Sequence, residues 1–152
     1  MADPLSEILV CVDFSDGSER VLAEAARLAS GLGATIHLLH AAAPEPGFVG
    51  YDNPGGPNDR DRRADELLDE HQALRTLADA IAETGVAVKP LLVKGATLEV
   101  ILGEAGRLGA DVIVVGSHGH GAMHRFLVGS TADALVRQSD RPVLVVPVHQ
   151  DD

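Results

Sequence analysis

Tryptophan is missing from this 152-residue chain, tyrosine occurs once and phenylalanine three times. So few rings leave little material for the stacking platforms of single-strand nucleic-acid binders. Lysine is nearly as scarce, with only Lys89 and Lys94, and the net charge is −11. An acidic chain repels nucleic-acid backbones and anionic bilayers, so neither nucleic acid nor a membrane is expected as a partner. The one cysteine, Cys11, rules out an intramolecular disulfide, fits a reducing compartment and reads as a small buried hydrophobe. No run of 18 or more apolar residues occurs, nor a charged segment followed by a long apolar one at the start. A soluble cytoplasmic protein is therefore expected. Two phosphate-binding signatures are also absent: no GxxxxGK[ST] and no GxGxxG occurs.

Apolar residues nevertheless make up 45% of the chain, which is enough for one domain, over 1–152, with a real core. Short apolar runs at Glu7–Asp13, Thr35–Ala41, Val86–Val93, Asp111–Gly116 and Pro142–Val148 predict five strands. They are apolar throughout rather than alternating, the mark of parallel strands covered on both faces. Pro90 predicts an edge position for the third, because proline cannot donate to a central ladder. Helical spacing connects the strands. Val21, Leu22, Ala25, Leu28 and Ala29 follow Asp16 and Glu19, which stand at capping-box spacing, and Gly31 and Gly33 stop the run. Leu67, Leu68, Ala73 or Leu74, Leu77, Ala78 and Ile81 mark a helix over 64–84. Val100, Ile101, Ala105 and Leu108 mark another, with Thr97 as its cap and Gly109 as its end, and a last helix spans Thr131–Gln138. Four prolines and four glycines between Pro44 and Arg63 predict a flexible surface loop over 44–63. The order βαβαβαβαβ is that of an α/β fold, whose ligands bind beyond the carboxyl ends of its strands.

One of those ends carries the most informative segment. Gly116-Ser117-His118-Gly119 follows the fourth strand, and Gly129-Ser130-Thr131 opens the last helix after nine intervening residues. Glycine permits close backbone approach, and the first N–H groups of a helix lack internal partners and favour an anion. The pattern is a cradle for phosphate.

This motif, with Val10-Cys11-Val12-Asp13-Phe14-Ser15 and the closing run Arg141–Pro147, resembles the ATP-binding branch of the universal stress protein family. The resemblance implies a Rossmann-like three-layer α/β/α fold, related to the adenine nucleotide alpha hydrolases, with a five-stranded parallel sheet of order 3-2-1-4-5. It further implies ATP (or ADP or AMP), with Mg²⁺, between strands 1 and 4. Asp13 and the backbone around Val12 would meet the adenine and ribose end. Ala41 would line the adenine pocket, and Val115 and Gly116 would flank the ribose. Gly119, Gly129, Ser130 and Thr131 would serve the phosphates. Relatives often carry a basic residue just after the second glycine of the motif; this chain has His120, a group that titrates near neutrality. The family also implies a homodimer through the closing strand, 142–148, and a regulatory protein partner.

Plainer roles stay open beside these. Ser130 stands three residues before Asp133 and Asp13 ends a strand, so either can act as a helix cap. His118, His120 and His124 share a loop with no neighbouring carboxylate or thiolate and read as solvated histidines, with no metal. The expected function is a nucleotide-binding stress or energy-state regulator with little or no hydrolysis and no catalytic residue. A slow ATPase or nucleotide-dependent transferase, and a nucleotide-free dimeric interaction module, are the alternatives.

Overall fold

A computed structural model of the chain describes residues 3–42, 57–118 and 129–148. Five strands lie in one sheet: β1 (Glu7–Cys11), β2 (Thr35–Ala42), β3 (Val88–Lys94), β4 (Val112–Gly116) and β5 (Val143–Val146). All pair in parallel, in the order β3-β2-β1-β4-β5. Four helices alternate with them: α1 (Ser18–Leu32), α2 (Pro57–Ala82), α3 (Thr97–Leu108) and α4 (Ser130–Gln138).

The alternating side chains of the strands build two cores. Ile8, Val10, Val12, Ile36 and Leu38 meet Val21, Leu22, Ala25 and Ala29 of α1 and Leu74, Ala78 and Ile81 of α2. On the other face Leu9, Leu39, Ile113 and Val115 meet Val100, Ile101 and Ala105 of α3 and Ala132 and Leu135 of α4. This two-sided burial is why the strands carry no polar alternation. The edge expected of the strand holding Pro90 is observed: among the described residues β3 pairs only with β2, Pro90 standing opposite Leu38.

Several local expectations are corrected. The loop expected to run to Arg63 ends earlier, because α2 begins at Pro57; residues 44–56 lie outside those described. Proline is well tolerated in the first turn of a helix, and Arg62 approaches Glu66 at i,i+4 (Nε–Oε1 3.8 Å), both side chains well exposed. On the same helix Leu74 rather than Ala73 is buried, and Leu68 is 61% exposed. The Asp16–Glu19 capping box does not form: the cap position is Gly17, with no side-chain bond. A Cβ there would lie 2.2 Å from Val148 Cγ1, so packing reserves the position for glycine. Thr97 is the first residue of α3 and not its cap, which is Ala96. Gly31 continues α1, and Gly33, at φ 66°, ends it.

Candidate functional site

β1 lies between β2 and β4, and the strand order reverses there: the chain runs from β1 through β2 to the β3 edge, then crosses back to β4 and β5 on the other side of β1. Crevices of open α/β sheets form at such a reversal, outside the carboxyl ends of the strands. The registers Cys11–Leu39 and Val10–Val114 bring the exits of three strands to this edge: Val12 and Asp13, Ala41, and Val115 and Gly116. Val12 and Val115 turn their side chains into opposite cores and are buried. The Val12 N–H donates to Leu39 O (3.0 Å), and its carbonyl accepts from His40 Nδ1 (2.9 Å). Ala41 is half-buried on the α3/α4 face with Cys11, whose thiol is pushed up in pKa by burial and is unsuited to thiolate chemistry.

Asp13 shapes the exit of β1. Its Oδ1 accepts from the Ser15 N–H (3.0 Å) and from the Ser15 hydroxyl (2.5 Å), an Asx turn that lets the chain double back into α1. Phe14, at the bend, has φ 60°, a conformation that non-glycine residues seldom adopt. Asp13 therefore does not cap α1, whose cap position is Gly17; its bonds to Ser15 lie within the turn before the helix.

The two halves of the glycine motif close on each other. Gly129 N–H donates to Ser117 O (2.5 Å), and a Cβ at Gly129 would sit 3.1 Å from that same oxygen. Ser117 is itself anchored, its N–H donating to Val146 O (2.8 Å) and its Oγ accepting from Val148 N–H (2.8 Å). Gly129 then occupies the cap position of α4 with no side-chain bond, and its carbonyl accepts from Asp133 N–H (3.0 Å). Ser130 and Thr131 form the first turn of α4, so the role of cap considered for Ser130 falls to Gly129. The uncapped start of α4 presents backbone N–H groups beside two hydroxyls, a setting suited to anionic oxygens. His118 contacts Ser117 Oγ through Nδ1 (3.1 Å), and its Nε2 is buried without a hydrogen-bond partner among the described residues. Gly119, His120 and His124 lie outside the described residues.

The Universal stress protein family model matches residues 5–147. This chain belongs to the universal stress protein family. A universal stress protein of Mycolicibacterium smegmatis is 35% identical over 152 residues, covering 95% of the chain and 48% of that protein. The chain thus spans about half the length of that relative. Among solved structures, universal stress protein UspA from Lactobacillus plantarum superposes with a TM-score of 0.80 at 25% identity, covering 95% of this chain and 99% of its own. The universal stress protein from Archaeoglobus fulgidus in complex with dAMP gives a TM-score of 0.64 at 26% identity, with 95% and 99% covered. The sheet order and alternating helices described above are those of this family's Rossmann-like α/β fold.

Two features of this stress-protein site escaped sequence reading. One is His40, which looked like part of an apolar strand; a buried polar residue inside such a run was the available signal. The other is the tie from Ser117 to Val148, which no spacing rule encodes. Among the described residues no cluster of three or more His, Cys, Asp or Glu could hold a metal ion, and no helix is long and apolar enough to cross a membrane.

Proposed function

We propose that this chain binds an adenine nucleotide, ATP with Mg²⁺, at the carboxyl edge of β1 and β4, and acts as a cytoplasmic stress or energy-state regulator with little or no hydrolysis. The observation that carries the reading is the closure of the glycine motif: Gly129 meets Ser117 at the exit of β4, directly before the uncapped start of α4. The residues present suit the ligand. N–H groups at a helix start favour phosphate oxygens, and the buried Nε2 of His118 lacks a partner among the described residues. Magnesium usually keeps several waters and is held mainly by phosphate oxygens, so it would arrive with the nucleotide and stand at the phosphate end, near the Ser130 and Thr131 hydroxyls. A relative of the same fold is described in complex with dAMP, which supports the adenine class. Asp13, Ala41 and Gly116 would wall the nucleoside end, and Gly129, Ser130 and Thr131 the phosphates, with Gly119 and His120 completing the loop.

Calorimetric titration with ATP and Mg²⁺ tests this. Wild type should bind, and Gly129→Val should weaken binding by about tenfold or more, because the added Cβ presses on the Ser117 carbonyl and parts the two halves. Equal affinities with retained fold would remove the motif from the site. Denaturing the purified protein and identifying any released nucleotide separates ATP from ADP and AMP. Turnover above about one per minute that is lost in Asp13→Asn would replace this reading with a slow ATPase.

We also propose that two copies pair along β5. Leu144 of this edge strand is 40% exposed, and Val136 of α4 is 60% exposed.

A further inference from the structure

We infer that His40 is a positioning residue that braces the exit of β1 from behind, so that Asp13 is held in one direction before a nucleotide arrives; this rests on the nucleotide reading above. His40 lies near the carboxyl end of β2 and is only 9% exposed. Burying an imidazole is costly unless its nitrogens find partners. Here Nδ1 lies 2.9 Å from the Val12 carbonyl oxygen. That oxygen can only accept, so Nδ1 carries the proton. Nε2 is turned to α2, where Glu70 Oε2 stands 3.7 Å away, buried and without a hydrogen bond among the described residues.

The ring makes a second contact with the same segment. Its centroid lies 4.4 Å from that of Phe14, the planes inclined at 42°. Phe14 is the residue with φ 60°, a conformation that persists only when its surroundings hold it. Val12 is therefore fixed through its N–H by Leu39 and through its carbonyl by His40, and Phe14 is fixed through its ring. Asp13 sits between two clamped residues. β2 serves the site from both faces: Ala41 belongs to the α3/α4 side, and His40, one residue earlier, to the side of α1 and α2. A binding segment ordered in advance spares the ligand the cost of ordering it.

Two polar substitutions separate the hydrogen bond from mere filling of space. In His40→Asn the side-chain amide stands as far from the backbone as Nδ1, and can still donate to Val12. In His40→Gln it is one bond further out, near the place of Nε2. ATP affinity is measured by calorimetry, amide hydrogen exchange of residues 13–15 is followed in the ligand-free protein, and thermal unfolding checks the fold. His40→Asn should stay within about threefold of wild type in both readouts. His40→Gln should bind ATP about tenfold more weakly and exchange about tenfold faster at residues 13–15, with unfolding midpoints alike in the two variants. Equal impairment of both variants, or wild-type behaviour of both, overturns the brace. Should wild type itself bind no ATP, ADP or AMP, the nucleotide reading fails; the exchange data then decide alone, faster exchange confined to His40→Gln keeping the brace and any other pattern overturning it.

Discussion

Asp111 shows how much one carboxylate can organise at the end of the sheet opposite the site. Its Oδ2 accepts from the N–H groups of Ser6 and Glu7 (2.9 Å each) and from the Ser6 hydroxyl (3.3 Å), while its own N–H donates to Glu7 O (2.8 Å). β1 and β4 are thereby clipped together where they begin. The Ser6 and Glu7 amides, with the Ser6 hydroxyl and the Arg141 charge, hold this carboxyl below the usual range against the smaller opposing effect of burial. A carboxyl whose folded pKa is depressed adds stability above its unfolded value of about 3.9, and that contribution is lost as the pH falls through the folded value. Asp111→Asn should therefore lower stability at pH 7 by on the order of 1 kcal/mol, the modest size reflecting solvent screening. The gap between variant and wild type should close in acid below about pH 4. Urea unfolding at several pH values measures it, and a gap independent of pH would assign the effect to packing.

At the scale of elements, the helix starts are where local chemistry is weakest. Among the described residues, none of α1, α3 and α4 has a side-chain hydrogen bond at its cap. For α4 this fits a site that takes an anion, and for α1 the Val148 contact excludes a side chain at Gly17. α3 has neither reason. Ala96 is exposed, its φ −66° and ψ 132° are those of an ordinary cap residue, and Glu99 stands three residues on. Ala96→Ser would complete a capping box and should raise stability by about 1 kcal/mol, read as a higher urea midpoint with an unchanged slope. The same contrast explains what the sequence revealed. Strands were legible because burial on both faces leaves unbroken apolar runs such as Ile8–Val12, and Pro90 marked an edge because a proline cannot pair on both sides. Caps were not, because Asp16, Thr97 and Ser130 have the right chemistry one residue away from the place that tertiary packing selects. The candidate site was signalled by Asp13, Gly116 and Gly129, which the fold brings to one edge of the sheet. His40 was hidden because its role depends on Val12 and Glu70, distant in sequence and brought together only by the fold.

Among the described residues the sheet ends in two edge strands, β3 and β5, and they are not alike. β3 exposes Lys89, Pro90 and Lys94, the charges and proline that discourage a second strand from adding. β5 carries no charge in Val143–Val146 and leaves Leu144 exposed, with Val136 of α4 also open to solvent. An acidic molecule of net charge −11 resists association in general, so a copy that pairs must do so where apolar contact and free backbone groups outweigh that repulsion. β5 meets both conditions, and Pro142 and Pro147 confine the pairing to the four residues between them. Light scattering of wild type at micromolar concentration should give twice the chain mass of 15.9 kDa, and Leu144→Lys should give the monomer with its helical circular dichroism intact. Because Leu144 lies on the edge and not in either core, its loss should leave the proposed nucleotide site in place, and ATP affinity should stay within about twofold of wild type. A monomeric wild type would show that the β3 and β5 edges are equally silent, and a dimeric Leu144→Lys would place the interface elsewhere.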